Sequence, residues 1–317
     1  MRALGLVITL ILLGYLATAS SIQAQEAERR AKPPKFNDAT TSIIFFNDVF
    51  AEALEGERPA ALGQNAQMAT GAGPATMNGD ETGAGEGEQW SKIISAQTIQ
   101  DEVKRINNQF LDTVQNVRKF NGGGFEDARR DYTELAMLFQ IVAQYDADVR
   151  WQEYAYTARD LFARAGFNCK VGTDNSFKEA KERSQDLEEL VRGGSIATRE
   201  ADPKASWEDI ADLPPLMQRL DVGFHQRLKK MTADTGEFNS NAEDVLHEAE
   251  IIAAIGHAMG QEGFEYTDDE DYVGYCEAMQ QAALNVVQAV KNNDPEAGRI
   301  ASGEVLKACD SCHEGYR

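Results

Sequence analysis

The chain closes on Cys309-Asp310-Ser311-Cys312-His313-Glu314-Gly315-Tyr316-Arg317, and a Cys-x-x-Cys-His run this close to the carboxyl terminus narrows the folds open to it. Two thiols one helical turn apart can each add across a vinyl group of a porphyrin, while the adjacent imidazole takes an axial position on the iron. The Cys-x-x-Cys part is shared with zinc half-sites and redox dithiols. Zinc would require two further ligands, and a redox dithiol has no use for the histidine. The motif therefore reads as a site for one covalent c-type haem, attached through Cys309 and Cys312 with His313 on the iron.

At 317 residues the chain is too long for one small haem module and suits two modest domains. Strand-like alternation is scarce and Ala, Glu, Gln, Leu and Met are plentiful, so the expected class is all-α. A formal charge of −21 argues against nucleic acid or an anionic membrane surface as partner. Any steering by that charge would favour a basic partner, and the acids also serve simply as solvated helix faces.

Residues 1–24 pair one Arg with an apolar run from Leu4 to about Ala17 and a small-residue region ending at Ala24. This is the pattern of a secretory signal peptide cut after Ala24, with an uncleaved anchor as the alternative. No later segment is expected to span a membrane, and the mature chain is expected to be periplasmic or otherwise exported. Of the four cysteines, Cys169 and Cys276 lie outside the motif. Cys276 falls on an apolar helix face, as a small buried hydrophobe would, and a Cys169–Cys276 disulfide is the alternative. Residues 25–89 read as a charged, then Gly- and Ala-rich flexible segment, with a short amphipathic helix expected over 41–54.

From there the chain repeats itself. Ile99, Val103, Arg105, Ile106 and Phe110 lie over Leu213, Met217, Arg219, Leu220 and Phe224, and Leu135 to Leu138 lie over Ile252 to Ile255. Each half shows four helical stretches separated by Gly, Asn and Asp, placed in the second half near 209–232, 241–262, 269–291 and 295–315. Leu213, Leu216, Met217, Leu220, Phe224, Leu228 and Met231 form one apolar stripe, and Tyr272, Cys276, Met279, Ala283, Val286 and Val290 another. The fold predicted is two tandem up-down-up-down four-helix bundles, over 90–200 and 205–317, the second carrying haem.

In an antiparallel bundle the first helix begins where the fourth ends. Met217 lies about one turn, roughly 5 Å, into its helix after Pro214 and Pro215, and His313 about one turn before the chain end. The two reach a similar height, so Met217 is the candidate sixth ligand; a Met at helical spacing also serves as ordinary core. His225 is expected to fall off the Met217 face, since eight residues are not a whole number of α-helical turns, and His247 and His257 belong to the second helix, far from the haem end.

The ending through Cys309, Cys312, His313, Tyr316 and Arg317 resembles that of the cytochrome c-prime family, four-helix bundles with the haem motif near the end of the last helix. Met217 and His313 also match the axial pair of the soluble periplasmic b-type four-helix cytochrome. The resemblance covers about residues 205–317. It implies a haem-binding set of Cys309, Cys312, His313, Met217, Leu213, Leu220, Tyr316 and Arg317, with His313 and Met217 on the iron. High-spin members of the family have an open or Leu- or aromatic-packed distal side with an Arg nearby; Pro214, Pro215 and Met217 here resemble the low-spin, Met-ligated branch. Val103 stands where Met217 does, and the first half has no histidine, so that half is expected to be a haem-free bundle filled by side chains such as Trp151, Tyr154, Phe162 and Leu138. No catalytic constellation stands out. The expected function is an exported one-electron carrier with a redox partner protein, the alternative being a five-coordinate haem protein that binds or scavenges a diatomic gas such as nitric oxide. A homodimer and an internal pseudo-dimer both remain open.

Overall fold

The computed structural model describes residues 89–198 and 200–316. The expected signal peptide, the 41–54 helix, nearly all of the flexible segment and Arg317 lie outside the described residues. Every regular element described is helical. The first set comprises α1 (Ala96–Thr113), α2 (Phe125–Gln144), α3 (Ala155–Asn168) and α4 (Asp174–Arg192). In the second, α5 runs α-helically over Leu213–Asp221, continues as π-helix over Val222–Leu228 and ends with Lys229–Met231. It is followed by α6 (Ala242–Met259), α7 (Glu270–Lys291) and α8 (Pro295–Gly315). None of the described helices is long and apolar enough to cross a membrane.

Local chemistry sets most of the helix ends. The Ser95 hydroxyl accepts from the Thr98 amide to open α1, and Thr173 and Ser176 form a reciprocal capping box at α4, which stops at Gly193 with φ +87°. Asp294 accepts from the Ala297 amide ahead of Pro295, where the ring's preset φ suits the first helical position. Asp212 precedes α5 but turns its carboxylate elsewhere, to Arg129 of α2 at 2.7 Å and Lys170 at 3.0 Å.

In the first bundle α2 packs along α3, and α1 touches both α2 and α4. Trp151, Phe162 and Leu138 are buried and Tyr154 is partly so, together with Phe110, Tyr132 and Phe139. Each large apolar side chain buried this way contributes roughly 1.5–3 kcal/mol. In the second bundle the close packing runs from α6 to α7 to α8, and α5 rests on α6. The helices α5 and α8 make no contact comparable to that of α1 with α4. All these helices belong to one compact unit, within which α5 packs on α2 and α6 meets α1.

Candidate functional site

The space between α5 and α8 is a cavity, and the haem motif opens into it. From α8 come Leu306, Cys309, Cys312 and His313, which share one face at three- and four-residue spacing. Met217, Leu220 and Phe224 reach it from α5, Met259 from the end of α6, and Tyr275, Cys276 and Met279 from the start of α7. The Sγ of Cys309 lies 3.8 Å from the Sδ of Met279. Thus Met217 and His313, distant in sequence, line one enclosure.

Among the other residues expected at the site, Leu220 lines the cavity, while Leu213 does not. Leu213 is the first residue of α5, a turn before Met217, and packs into the core outside the cavity wall. Tyr316 also stays off the wall. Its ring packs on Tyr272 at 5.3 Å and on Tyr266 at 5.5 Å, backing the motif from behind.

His225 departs from the expectation, because it lines the same cavity as Met217. The reason is the π-helical stretch Val222–Leu228. A π-helix turns less per residue than an α-helix, so the eight residues from Met217 to His225 come nearer to two whole turns. His247 and His257 do lie elsewhere: His247 bonds Glu102 at 2.8 Å, and His257 bonds Gln280 at 3.1 Å and packs edge-on to Trp90.

All four cysteines are free thiols, with Cys169 and Cys276 both buried. Burial pushes Cys309 up to about 11, helped by the nearby Asp310 and Cys312. Burial raises Cys312 as well and carries Cys276 to about 12. The buried Tyr272 hydroxyl finds no hydrogen-bonding oxygen or nitrogen and faces the thiols of Cys276 and Cys312. Two thiols at thioether spacing, an imidazole, a thioether sulfur and apolar walls form a donor set that suits a covalent haem. Among the described residues no group of three or more His, Cys, Asp or Glu is arranged to hold a metal ion.

On the far side of α5 lies a second feature, unforeseen from the sequence. Arg219 is fully buried and donates to Glu134 at 2.7 Å, Glu248 at 2.9 Å and Glu102 at 3.0 Å. Arg105 adds to Glu102, and Arg227 to Glu248. Burial opposes ionisation of Glu102, but Arg219, His247 and Arg105 outweigh it and hold that carboxyl well below the usual range. For Glu134, burial and the neighbouring Glu102 prevail over Arg219 and Arg105, and its carboxyl is held well above the usual range. The only sequence hint was that Arg105 and Arg219 fall in register; the glutamates read as solvated helix acids.

Residues 265–317 match the family model described as Cytochrome C'. No curated protein and no solved structure matches the chain. The matched span holds α7, α8 and the whole motif, and it supports the cytochrome c-prime resemblance and a c-type cytochrome with haem in this part of the chain.

Proposed function

We propose that the protein is an exported c-type cytochrome that carries one haem in its second bundle and acts as a one-electron carrier rather than an enzyme. The observation that carries this reading is that Met217 and His313 line one cavity, between two helices that stand apart. The haem, when bound, supplies an iron that takes up and releases a single electron. Cys309 and Cys312 would hold it as thioethers, His313 would supply an imidazole donor, and Met217 a soft sulfur of the kind that raises the potential. Leu220, Phe224 and Met259 give the cavity apolar walls. The first bundle is a haem-free copy of the second, with Val103 in place of Met217 and neither paired thiols nor histidine. Export rests on the leader pattern of residues 1–24, and the charge of −21 favours a basic redox partner.

Optical spectra of the purified protein test this directly. The expected result is a low-spin, six-coordinate haem in both oxidation states, at one haem per chain by pyridine haemochrome. Replacing Cys309 and Cys312 with Ser abolishes covalent attachment. A high-spin ferrous spectrum would overturn the Met217 assignment.

The second reading, a five-coordinate haem that binds a diatomic gas, is favoured by the match to the cytochrome c-prime family model, whose high-spin members leave the distal side open. Rapid carbon monoxide binding that Met217→Ala leaves unchanged would establish it. Slow binding that becomes fast in that variant supports a displaceable Met217.

A further inference from the structure

Met217 and Arg219 sit two residues apart on α5, and two residues turn an α-helix by about 200°. One side chain faces the cavity and the other the interface with the first bundle. Arg219 has a carboxyl oxygen on each of its nitrogens: Nε on Glu134, Nη1 on Glu248 and Nη2 on Glu102. Two of these acids belong to the haem-free bundle. Further along α5, Arg227 takes the other oxygen of Glu248. The π-helical segment that follows Asp221 is therefore pinned near both ends.

Gly223 is what lets the guanidinium lie there. A Cβ on it would stand 2.5 Å from Nη1 of Arg219 and 2.8 Å from Oε2 of Glu248. The register that lays Arg105 over Arg219 lays Gln109 over Gly223. In the first bundle that Gln109 bonds Arg105 at 2.8 Å, and the arginine stays 26 % exposed against its own helix. Of the two arginines in register, only Arg219, on the helix that carries Met217, is buried.

We propose that the haem-free bundle is a positioning device for the distal ligand: Glu102 and Glu134 grip Arg219, and through the rigid backbone of α5 they set the height of Met217 opposite His313. The inference rests on Met217 being the sixth ligand. A helix whose buried guanidinium is paired with the ionised Glu102 and Glu248 and hydrogen-bonded to Glu134 cannot slide or rotate without leaving charged and polar groups unpaired, which is strongly unfavourable. The sulfur is thereby presented at one fixed height rather than over a range of positions.

The test uses the full-length holoprotein with carbon monoxide as probe, comparing wild type with Glu102→Leu, Glu134→Leu, Met217→Ala and Phe162→Leu. The last loosens the first bundle's core away from the interface. Expected is a partial loss of low-spin haem in both glutamate variants, with carbon monoxide binding about tenfold faster, equivalent to about 1.4 kcal/mol in the balance between bound and unbound Met. Phe162→Leu lowers the melting temperature but leaves the spectrum and binding rate as in wild type. Where a glutamate variant does not fold, Gly223→Ala displaces Arg219 from the other side and gives the same spectral change. If the glutamate variants keep wild-type spectrum and rate while Met217→Ala changes both, the positioning role is overturned and the ligand assignment stands. If Phe162→Leu shifts the haem as much as they do, the effect is general loosening and the proposal fails. A wild-type protein already five-coordinate removes the ligand assignment and the positioning role together.

Discussion

Tyr316 donates its hydroxyl to Asp269 at 2.6 Å, joining the residue after α8 to the residue that caps α7. The Asp269 carboxylate also accepts from the Asp271 amide, so one side chain opens a helix and tethers the end of the chain beside the haem motif.

These two roles separate by mutation. Tyr316→Phe removes one hydrogen bond and should cost about 1 kcal/mol. Asp269→Ala removes that bond and the cap together, about 1.5–2.5 kcal/mol in all. Denaturant melts of the holoprotein measure both, and equal losses would show that the cap contributes nothing.

Arg219→Met should be far more damaging than any surface change. It leaves Glu102, Glu134 and Glu248 facing one another in a buried site, a loss of about 3–5 kcal/mol by comparison with other broken buried ion pairs. Chemical denaturation gives the value, and a loss under 1 kcal/mol would mean that water or Arg105 takes over the site.

Asp131 supplies a pH signature. Its carboxyl is buried, with one oxygen unpartnered, and burial pushes it up to about 6 despite Arg130 and Arg105. An acid that is harder to ionise in the fold than in the open chain keeps its proton longer when folded. Stability on this account is unaffected below about pH 4, falls as pH rises from about 4 to about 6, and then stays level. Asp131→Asn should flatten that window and add on the order of 2 kcal/mol at pH 7. Denaturation at a series of pH values, wild type against variant, decides it.

Gly298→Ala probes the packing of the short helix Thr235–Ser240 on α8. A Cβ at Gly298 would meet the Phe238 ring at 2.4 Å, and Phe238 is buried. The expected cost is about 1–3 kcal/mol, read as a lower melting temperature. Phe238→Leu in the same chain should recover part of it.

Much of this was legible locally. The four helices of the second half fall within a few residues of where their caps and stripes predicted them, because Asp294-Pro295 and the 3.6-residue periodicity act over a few neighbours. The motif puts its two thiols and its imidazole within one turn of α8, a spacing carried by the sequence alone. That Met217 and His313 line one cavity agrees with antiparallel helix order, a long-range relation that the order of helices conveys. His225 enters the cavity through a π-helical turn that uniform α-helical spacing does not convey, and nothing in Val222–Leu228 beyond Gly223 announces that turn.

By itself, then, the amino-acid sequence determined helical class, helix boundaries, the thiol and imidazole donors and the lack of such donors in the first half. These depend on residue type and near neighbours, which the chain carries wherever it folds. Tertiary structure alone decided that Glu102, Glu134 and Glu248 would converge on Arg219, and that α5 would stand off from α8. A glutamate on a helix costs least in water, so each one alone reads as surface. Only when four helices bring their charges together does burial become tolerable, since the pairing of opposite charges then offsets the loss of hydration.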